Sequence, residues 1–241
     1  MSTEIATTPN TTPATNTFNR AGLEGIEKSD LVLPRLWLMQ AISALVSEEK
    51  FKSGDIVNSL SEELVDAENP QGPVEVIPIT QKKLWYEYEE VGNGKQDLKR
   101  IFDHIAPEAA GLKAGPVEGT KLFYRSCIQY YVVLASEPDG LPTMINFMKT
   151  NYPIGKKFNT FLVQQSMLNQ PTWGKAYQLK AKKTSNEHGT FFVWEFGTKR
   201  DATEEERKAA EQWHAVLQTT KVSQQEPTTD SASAGDDAVP F

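Results

Sequence analysis

Basic and aromatic residues lie close together along the second half of the chain, and this pairing is the strongest chemical signal in the sequence. Lysine and arginine hold phosphates, and flat rings stack on unpaired bases at about 1–3 kcal/mol each. The combination is typical of proteins that bind single-stranded nucleic acid without sequence preference. The predicted binding residues are the cations Lys121, Arg125, Lys149, Lys156, Lys157, Lys180, Lys182 and Lys183 and the rings Tyr124, Tyr131, Trp173 and Trp194.

Aromatic residues in strands are more often core than binding surface, so the ring signal has two interpretations. In the run TFFVWEFGTK, at 190–199, Phe191 and Val193 alternate with Phe192 and Trp194. Successive side chains of a strand point to opposite faces, so both faces of this strand are apolar. The strand is therefore either buried on both sides or exposes one face as a stacking platform.

Other kinds of site have little support in the sequence. His104, His188, His214 and Cys127 are far apart and lack the spacing of metal ligands, so no metal or other cofactor is expected. Neither a GxxxxGK[ST] loop nor a GxGxxG fingerprint marks a nucleotide-phosphate site. Cys127 lies in a β-rich run without a nucleophile motif, which favours a buried thiol. We therefore expect a protein without enzymatic activity.

Charge is segregated along the 241-residue chain, whose 25 basic and 32 acidic residues give a net charge of −7. Residues 21–98 carry 15 acids and 7 bases, whereas residues 121–200 carry 4 acids and 11 bases. An acidic protein with such a basic segment can present a local anion-binding face. Scatter of the same charges over several solvated faces is the alternative.

The low cysteine content and the lack of signal-like or membrane-spanning segments in the sequence indicate the cellular compartment. A single cysteine excludes an internal disulfide and fits a reducing compartment. The N-terminus has neither the basic nor the apolar segment of a secretory signal, and no apolar run approaches the roughly 20 residues that span a bilayer. These features predict a soluble cytoplasmic protein with no membrane partner.

Apolar periodicity predicts an α+β fold that is mainly β. Residues 30–46 predict a strand before Pro34 followed by a short helix, and residues 151–155 predict a connection. The segment 74–90 predicts one long strand or a hairpin interrupted near Pro78. The other predicted elements are strands at 54–60, 121–136, 141–150, 176–184 and 190–199 and helices at 96–106, 156–167 and 204–218. Counted from 74–90, three strands, one helix and two strands give the element order of the OB-fold, a five-stranded barrel often used for oligonucleotides.

Polar tails flank this predicted core. We expect residues 1–20 and 221–241 to be disordered and residues 21–220 to form one binding domain, with the OB-like core at about 74–200. The helix at 204–218 is preceded by the capping-box pair Thr203 and Glu206, and its apolar side is expected to pack against the barrel.

The final six residues are two aspartates followed by Ala, Val, Pro and Phe at the free carboxylate. This ending resembles the acidic tip of bacterial single-stranded DNA-binding proteins, which finish in consecutive aspartates, a small or branched apolar pair and Pro-Phe. The resemblance implies that Asp236, Asp237, Val239, Pro240 and Phe241 dock in basic pockets of replication, recombination and repair proteins. Phe241 would be the apolar anchor, and the carboxylates would meet Lys or Arg. Two aspartates in place of a longer acidic run imply weaker docking.

The body of the chain does not resemble the bacterial family. Its segments DLVLPRLWLMQ, at 30–40, and GDIVNSL, at 54–60, followed by a strand–helix–strand–strand region, resemble phage-encoded single-stranded DNA-binding proteins. Together the two resemblances imply a phage protein in the cytoplasm of its bacterial host. It would protect single-stranded DNA and recruit enzymes through its tip.

Two further readings stay open. A viral transcription cofactor or replisome adaptor would use the tip to dock host proteins and would bind nucleic acid only incidentally. A nuclease would need clustered carboxylates and a divalent metal. A tethered tip also fits a homo-oligomer, in which several tips act together.

Overall fold

The structure of the chain, a computed structural model, describes residues 32–92, 95–187 and 189–219. Within those ranges the secondary structure is mostly β. The strands are β1 (Leu36–Leu38), β2 (Ile56–Asn58), β3 (Glu63–Leu64), β4 (Val74–Gly92), β5 (Lys95–Asp103), β6 (Gly115–Pro116), β7 (Leu122–Leu134), β8 (Thr143–Met148), β9 (Lys175–Asn186) and β10 (Gly189–Asp201). The helices are α1 (Ala44–Ser47), α2 (Tyr152–Met167) and α3 (Glu204–Thr219).

Five strands form the OB-like part of the fold. In the order β10, β9, β4, β7 and β8, each strand pairs antiparallel with the next, and α2 lies between β8 and β9 in the chain. The sheet curls strongly into half a barrel. The predicted OB-like α+β fold is confirmed, and β5 and β6 are additions that pair with β4 and β7.

The segment around β1 connects the two outer strands of the half-barrel. Arg35 forms a parallel bridge with Met144 of β8, and the Met144 N–H donates to the Pro34 carbonyl at 2.8 Å. On the other side, the Gln40 side chain donates to the Phe192 carbonyl and accepts from the Phe192 N–H, both at 3.0 Å. The predicted strand before Pro34 is therefore wrong, because the strand follows Pro34 and pairs with β2. The predicted short helix is present as α1.

The helix predicted at 96–106 is also wrong, because these residues form β5, antiparallel to β4. The register shifts between the pairs Arg100–Glu87 and Leu98–Tyr88, so Lys99 is an extra residue in the strand, a β-bulge. The bulge turns Leu98 and Ile101 to one face, where both pack on the same apolar cluster. The bulge therefore gives Leu98 and Ile101, which lie three residues apart as on a helix face, a common face in a strand.

The barrel interior is closed by α2, whose start differs from the prediction. The helix begins at Tyr152, with Pro153 in its first turn, where the missing N–H of proline costs no hydrogen bond. The connection predicted at 151–155 is therefore mostly helix. Gly155 lets the helix approach β8, because a Cβ there would lie 2.7 Å from the Cβ of Phe147.

The C-terminal helix matches its prediction. The Thr203 N–H donates to the Glu206 carboxylate at 2.7 Å, and the Glu206 N–H donates to the Thr203 hydroxyl at 3.2 Å, which forms the expected capping box. Ala210 is buried, and Trp213 is half-buried, against the outer face of the sheet.

We expect Glu206→Gln to lower stability at neutral pH by about 2 kcal/mol, the scale of hydrogen bonds to charged groups. Arg200 donates to both carboxylate oxygens, at 2.9 and 2.6 Å, and holds the pKa of Glu206 below its ordinary value of 4.5. The stabilisation by the Arg200–Glu206 ion pair is present above pH 4.5 and is lost as the pH falls through the lowered pKa of Glu206. Urea unfolding between pH 3 and 7 measures the free energy of unfolding, which should become equal for the wild type and the variant at acidic pH.

The matched control is Glu205→Gln, an exposed glutamate of the same helical turn. The glutamine side chain of Glu206→Gln can still form the capping-box hydrogen bonds. The difference in unfolding free energy between wild type and this variant therefore reports the charge of Glu206. A constant gap between wild type and Glu206→Gln at every pH would contradict the role of the ion pair.

Candidate nucleic-acid interface

The β9–β10 hairpin presents the predicted lysines beside an apolar strip. In its register Lys180 is opposite Glu195, and Lys182 is opposite Val193. Because side chains alternate along each strand, these residues share one side with Phe191. We call the outer side formed by Lys180, Lys182, Phe191, Val193 and Glu195 the hairpin face.

The opposite side of the hairpin is core. Phe192, Trp194 and Leu179 all belong to the buried cluster inside the barrel. Trp194 is only 3% exposed, and its backbone N–H donates to the Asn151 side chain at 2.8 Å. The strand at 190–199 is therefore buried on the face of Phe192 and Trp194. Its other face, with Phe191 and Val193, is half-buried.

One carboxylate offsets part of the positive charge of the hairpin face. Glu195 accepts one hydrogen bond from Lys182 at 2.5 Å and forms an ion pair with Lys180 at 3.1 Å. The hydrogen bonds from Lys182 and then Lys180 lower the pKa of Glu195, so it is ionised at neutral pH. Lys183, one residue along, is exposed but lies opposite Phe192 in the register, on the other side of the strand. The two lysines and one glutamate of the hairpin face leave a formal net charge of +1.

A second set of predicted cations lies on α2. Lys156 and Lys157 are exposed, with ammonium groups 5.1 Å from the Tyr152 ring and 5.8 Å from the Phe161 ring, respectively. Cation–π contacts of this kind hold the lysine side chains along the helix surface while the charges stay solvated.

Direct packing joins α2 to the hairpin. The Phe158 ring of α2 contacts the Phe196 ring of β10, with centroids 4.3 Å apart. Phe161 stacks on Tyr177 of β9 at an interplanar angle of 4°. The helix α2 therefore packs against the barrel side of the hairpin, whereas Lys180 and Lys182 lie on the outer side. Lys149, before α2, is half-buried.

The predicted residues at the start of β7 lie elsewhere. Leu122 pairs with Glu89 of β4, whereas β9 pairs with β4 near Val76, 13 residues away and roughly 40 Å along an extended strand. Lys121 is exposed at that far end, near Glu89. It is therefore not brought together with the hairpin and α2 lysines.

Arg125 and Tyr124 are part of the packed interior at that end. Arg125 is only 6% exposed, with its guanidinium 4.8 Å from the Tyr88 ring and a hydrogen bond of 2.5 Å to Gln96. The Tyr124 hydroxyl donates to Glu87 at 2.7 Å. Both side chains support the β4–β5–β7 sheet and offer no surface to a ligand in this conformation.

The other two predicted rings differ in access. Tyr131 is fully buried, donates its hydroxyl to Gln129 at 3.1 Å, and has its pKa raised to about 12 by burial. Trp173 is half-buried in the 3₁₀ turn Thr172–Gly174, with its ring centroid 4.9 Å from that of His214. Of the four predicted rings, Trp173 alone has a partly open surface.

Phe191 is the ring that the sequence-based selection missed. The signal that could have identified it is the alternation of side chains in β10. One of the two apolar sides of that strand must face the barrel interior, and the other must face outward. Lys180 and Lys182 mark the solvent side, and the register with β10 assigns Phe191 to it.

Several predictions fall outside the part of the chain that the structure describes. They are the tip residues Asp236, Asp237, Val239, Pro240 and Phe241, and the disorder expected for 1–20 and 221–241. Within the described ranges, no helix is long and apolar enough to cross a membrane. In the same ranges, no group of three or more His, Cys, Asp or Glu side chains is placed to hold a metal ion.

Comparison with known proteins places the chain in a phage family. A family model described as Pam3 phage gp34-like protein matches residues 4–223, nearly the whole chain. The chain belongs to the Pam3 phage gp34-like family. For this gp34-like protein, the predicted phage relationship is confirmed. The searches of curated proteins and of solved structures give no match.

Proposed function

We propose that this gp34-like protein is a non-enzymatic single-stranded DNA-binding protein. It protects single strands during replication, recombination or repair and recruits partner proteins through its acidic C-terminal tip. The observation that carries the proposal is the hairpin face, where Phe191 lies on the same side as Lys180 and Lys182 at the end of an OB-like sheet.

The position of this hairpin in the fold supports the proposal. OB-folds bind oligonucleotides with one face of the barrel and with the loops between strands 1–2 and 4–5. Here β9 and β10 are the fourth and fifth strands of the OB-like order, so their hairpin corresponds to one of those loops. The lysines contact phosphates, and Phe191 stacks on a base.

The same geometry favours single strands over duplexes. A half-buried phenyl ring can stack only on a base whose face is free, which a base pair within a duplex does not provide. Lys156 and Lys157 add exposed cations on α2, which packs against the barrel side of the hairpin. Backbone contacts and stacking carry little sequence information, so binding should be largely sequence-independent.

We expect Glu195→Gln to tighten binding of single-stranded DNA about threefold to tenfold at low salt. The substitution frees Lys180 and Lys182 from a shared carboxylate, so more positive charge meets the phosphates and the salt dependence becomes steeper. Fluorescence anisotropy of a labelled oligo-dT at several salt concentrations measures both quantities. Glu137→Gln, at an exposed site outside the hairpin, is the control, and equal effects of the two variants would contradict the assignment.

Deleting residues 236–241 tests the recruiting role. DNA affinity should stay equal or become tighter, because the deletion removes negative charge, while capture of replication and repair proteins should be lost. Anisotropy measures the first effect, and pull-down from host lysate compared with the full chain measures the second. A large loss of DNA affinity would contradict this role for the tip.

A second candidate, an adaptor that docks host proteins through the tip, is favoured by one observation. Arg125, Tyr124, Tyr131 and Trp194 are buried, and Glu195 offsets part of the hairpin charge, which reduces the cationic and aromatic surface. An adaptor would keep its activity when the hairpin lysines are removed and would lose it with the tip.

A further inference from the structure

A cleft beside the central strand β4 includes no residue of the hairpin face. It opens between β4, the end of α2, the turn that follows α2, and α3, and its volume is about 370 Å³. Ligand pockets for small molecules begin at about 300 Å³, so the space suits one base with its sugar. Its lining includes Gln81, Leu162, Gln170, Trp173 and His214.

The lining combines a flat ring with neutral polar groups. Trp173 and His214 have ring centroids 4.9 Å apart and planes inclined at 43°, so they form a wedge and not a closed stack. Gln81 and Gln170 are exposed and contribute amides, which offer both donors and acceptors. None of the ten described lining residues is acidic, so the cleft does not repel a phosphate-bearing ligand.

A buried donor beside the cleft has no partner. The Gln165 side chain is 3% exposed, and its amide nitrogen makes no hydrogen bond within the described structure. A Cβ on Gly174 would lie 3.8 Å from that nitrogen and 3.7 Å from the Gln170 Oε1, so the two amides flank the same glycine. An unsatisfied buried donor is destabilising. Gln165 does not itself line the cleft, but its amide lies next to that of the lining residue Gln170.

The cleft is also within reach of the proposed DNA track. Lys157 precedes Ser166, another lining residue, by nine positions on α2, which is about 14 Å along the helix axis. A strand whose phosphates contact Lys156 and Lys157 can therefore place a nearby base at the cleft.

We propose that this cleft is a nucleobase pocket that takes one unstacked base of the bound strand. Trp173 stacks on the base, and the lining amides of Gln81 and Gln170 pair with its polar edge. Amides both donate and accept, so they can pair with thymine carbonyls and with adenine ring nitrogens alike. The proposal rests on the proposed single-strand binding and assigns it the position of one base.

The first test uses the wild-type full chain. Photo-crosslinking to an oligo-dT that carries 5-iododeoxyuridine, followed by peptide mapping, should place a crosslink at Trp173 or His214. Crosslinks only at the hairpin would overturn the pocket and leave the proposed function intact. Absence of any DNA binding by anisotropy would instead count against the proposed function itself, and with it the pocket.

The second test separates base recognition from backbone binding. Wild-type protein should bind oligo-dT several-fold more tightly than abasic DNA of equal length, and Gln170→Met should reduce that ratio while binding to abasic DNA stays the same. Gln170 is exposed, and Met is apolar and similar in size to Gln, so folding should be retained. Met167→Ala, at an exposed apolar site of α2, is the control. An unchanged ratio of oligo-dT to abasic binding in Gln170→Met would overturn the pocket.

Discussion

Replacing Lys180, Lys182 and Lys183 together with Ala is expected to weaken binding of single-stranded DNA by tenfold or more at low salt. Each phosphate contact on a single strand contributes about 0.7 to the slope of log affinity against log salt, so the slope should fall by up to about 2. The fall should stay below the full value, because Lys180 and Lys182 already share Glu195. Anisotropy titrations at several salt concentrations give the slope directly.

The matched control removes the same charge elsewhere. Lys52, Lys113 and Lys208 are exposed and lie outside the hairpin and α2, so their replacement with Ala changes the net charge equally. Affinity should fall much less in this control. An equal loss in the two triple variants would mean that overall charge, and not the hairpin, determines binding; an unchanged slope in the hairpin variant would exclude the hairpin.

Phe158→Ala is expected to have the largest effect on stability, about 3–5 kcal/mol. Phe158 is fully buried where α2 closes the barrel, and its ring lies 4.7 Å from Tyr130, 5.0 Å from Tyr177 and 4.3 Å from Phe196, measured between centroids. These neighbours sit on three different strands and cannot all collapse into the cavity. Urea unfolding followed by circular dichroism measures the loss.

Val163→Ala provides the control on the same helix, because Val163 is 54% exposed. It should change the free energy of unfolding by less than about 0.5 kcal/mol, as is usual for surface sites. A loss below about 1 kcal/mol for Phe158→Ala would contradict the close packing of α2 in the barrel.

The sequence predicts the OB-like strands well because their patterns are local. The runs that form β4, β7, β9 and β10 are rich in β-branched and aromatic residues and are bounded by turn residues. The hairpin formed by β4 and β5 escapes prediction, because a bulge at Lys99 produces helix-like spacing that only the pairing with β4 explains. The start of α2 is missed, since Pro153 reads as a break although it is tolerated in a first turn.

The sequence predicts the exposed lysines of the candidate site better than it predicts the exposed aromatic rings. Lys156, Lys157, Lys182 and Lys183 are exposed as expected, because lysine is rarely buried. The presence of a ring gives no such guidance. Trp194 is core, whereas Phe191, three positions earlier in the same strand, is on the surface side. The partial neutralisation by Glu195 depends on cross-strand register, which local pattern does not specify.

The most direct test of the proposed function is the affinity of the full chain for oligo-dT of about 30 nucleotides and for a duplex of equal length, at low and high salt. The proposal predicts binding to the single strand that weakens as salt rises, with much weaker binding to the duplex. Equal affinity for both forms, or no binding to either at low salt, would contradict it.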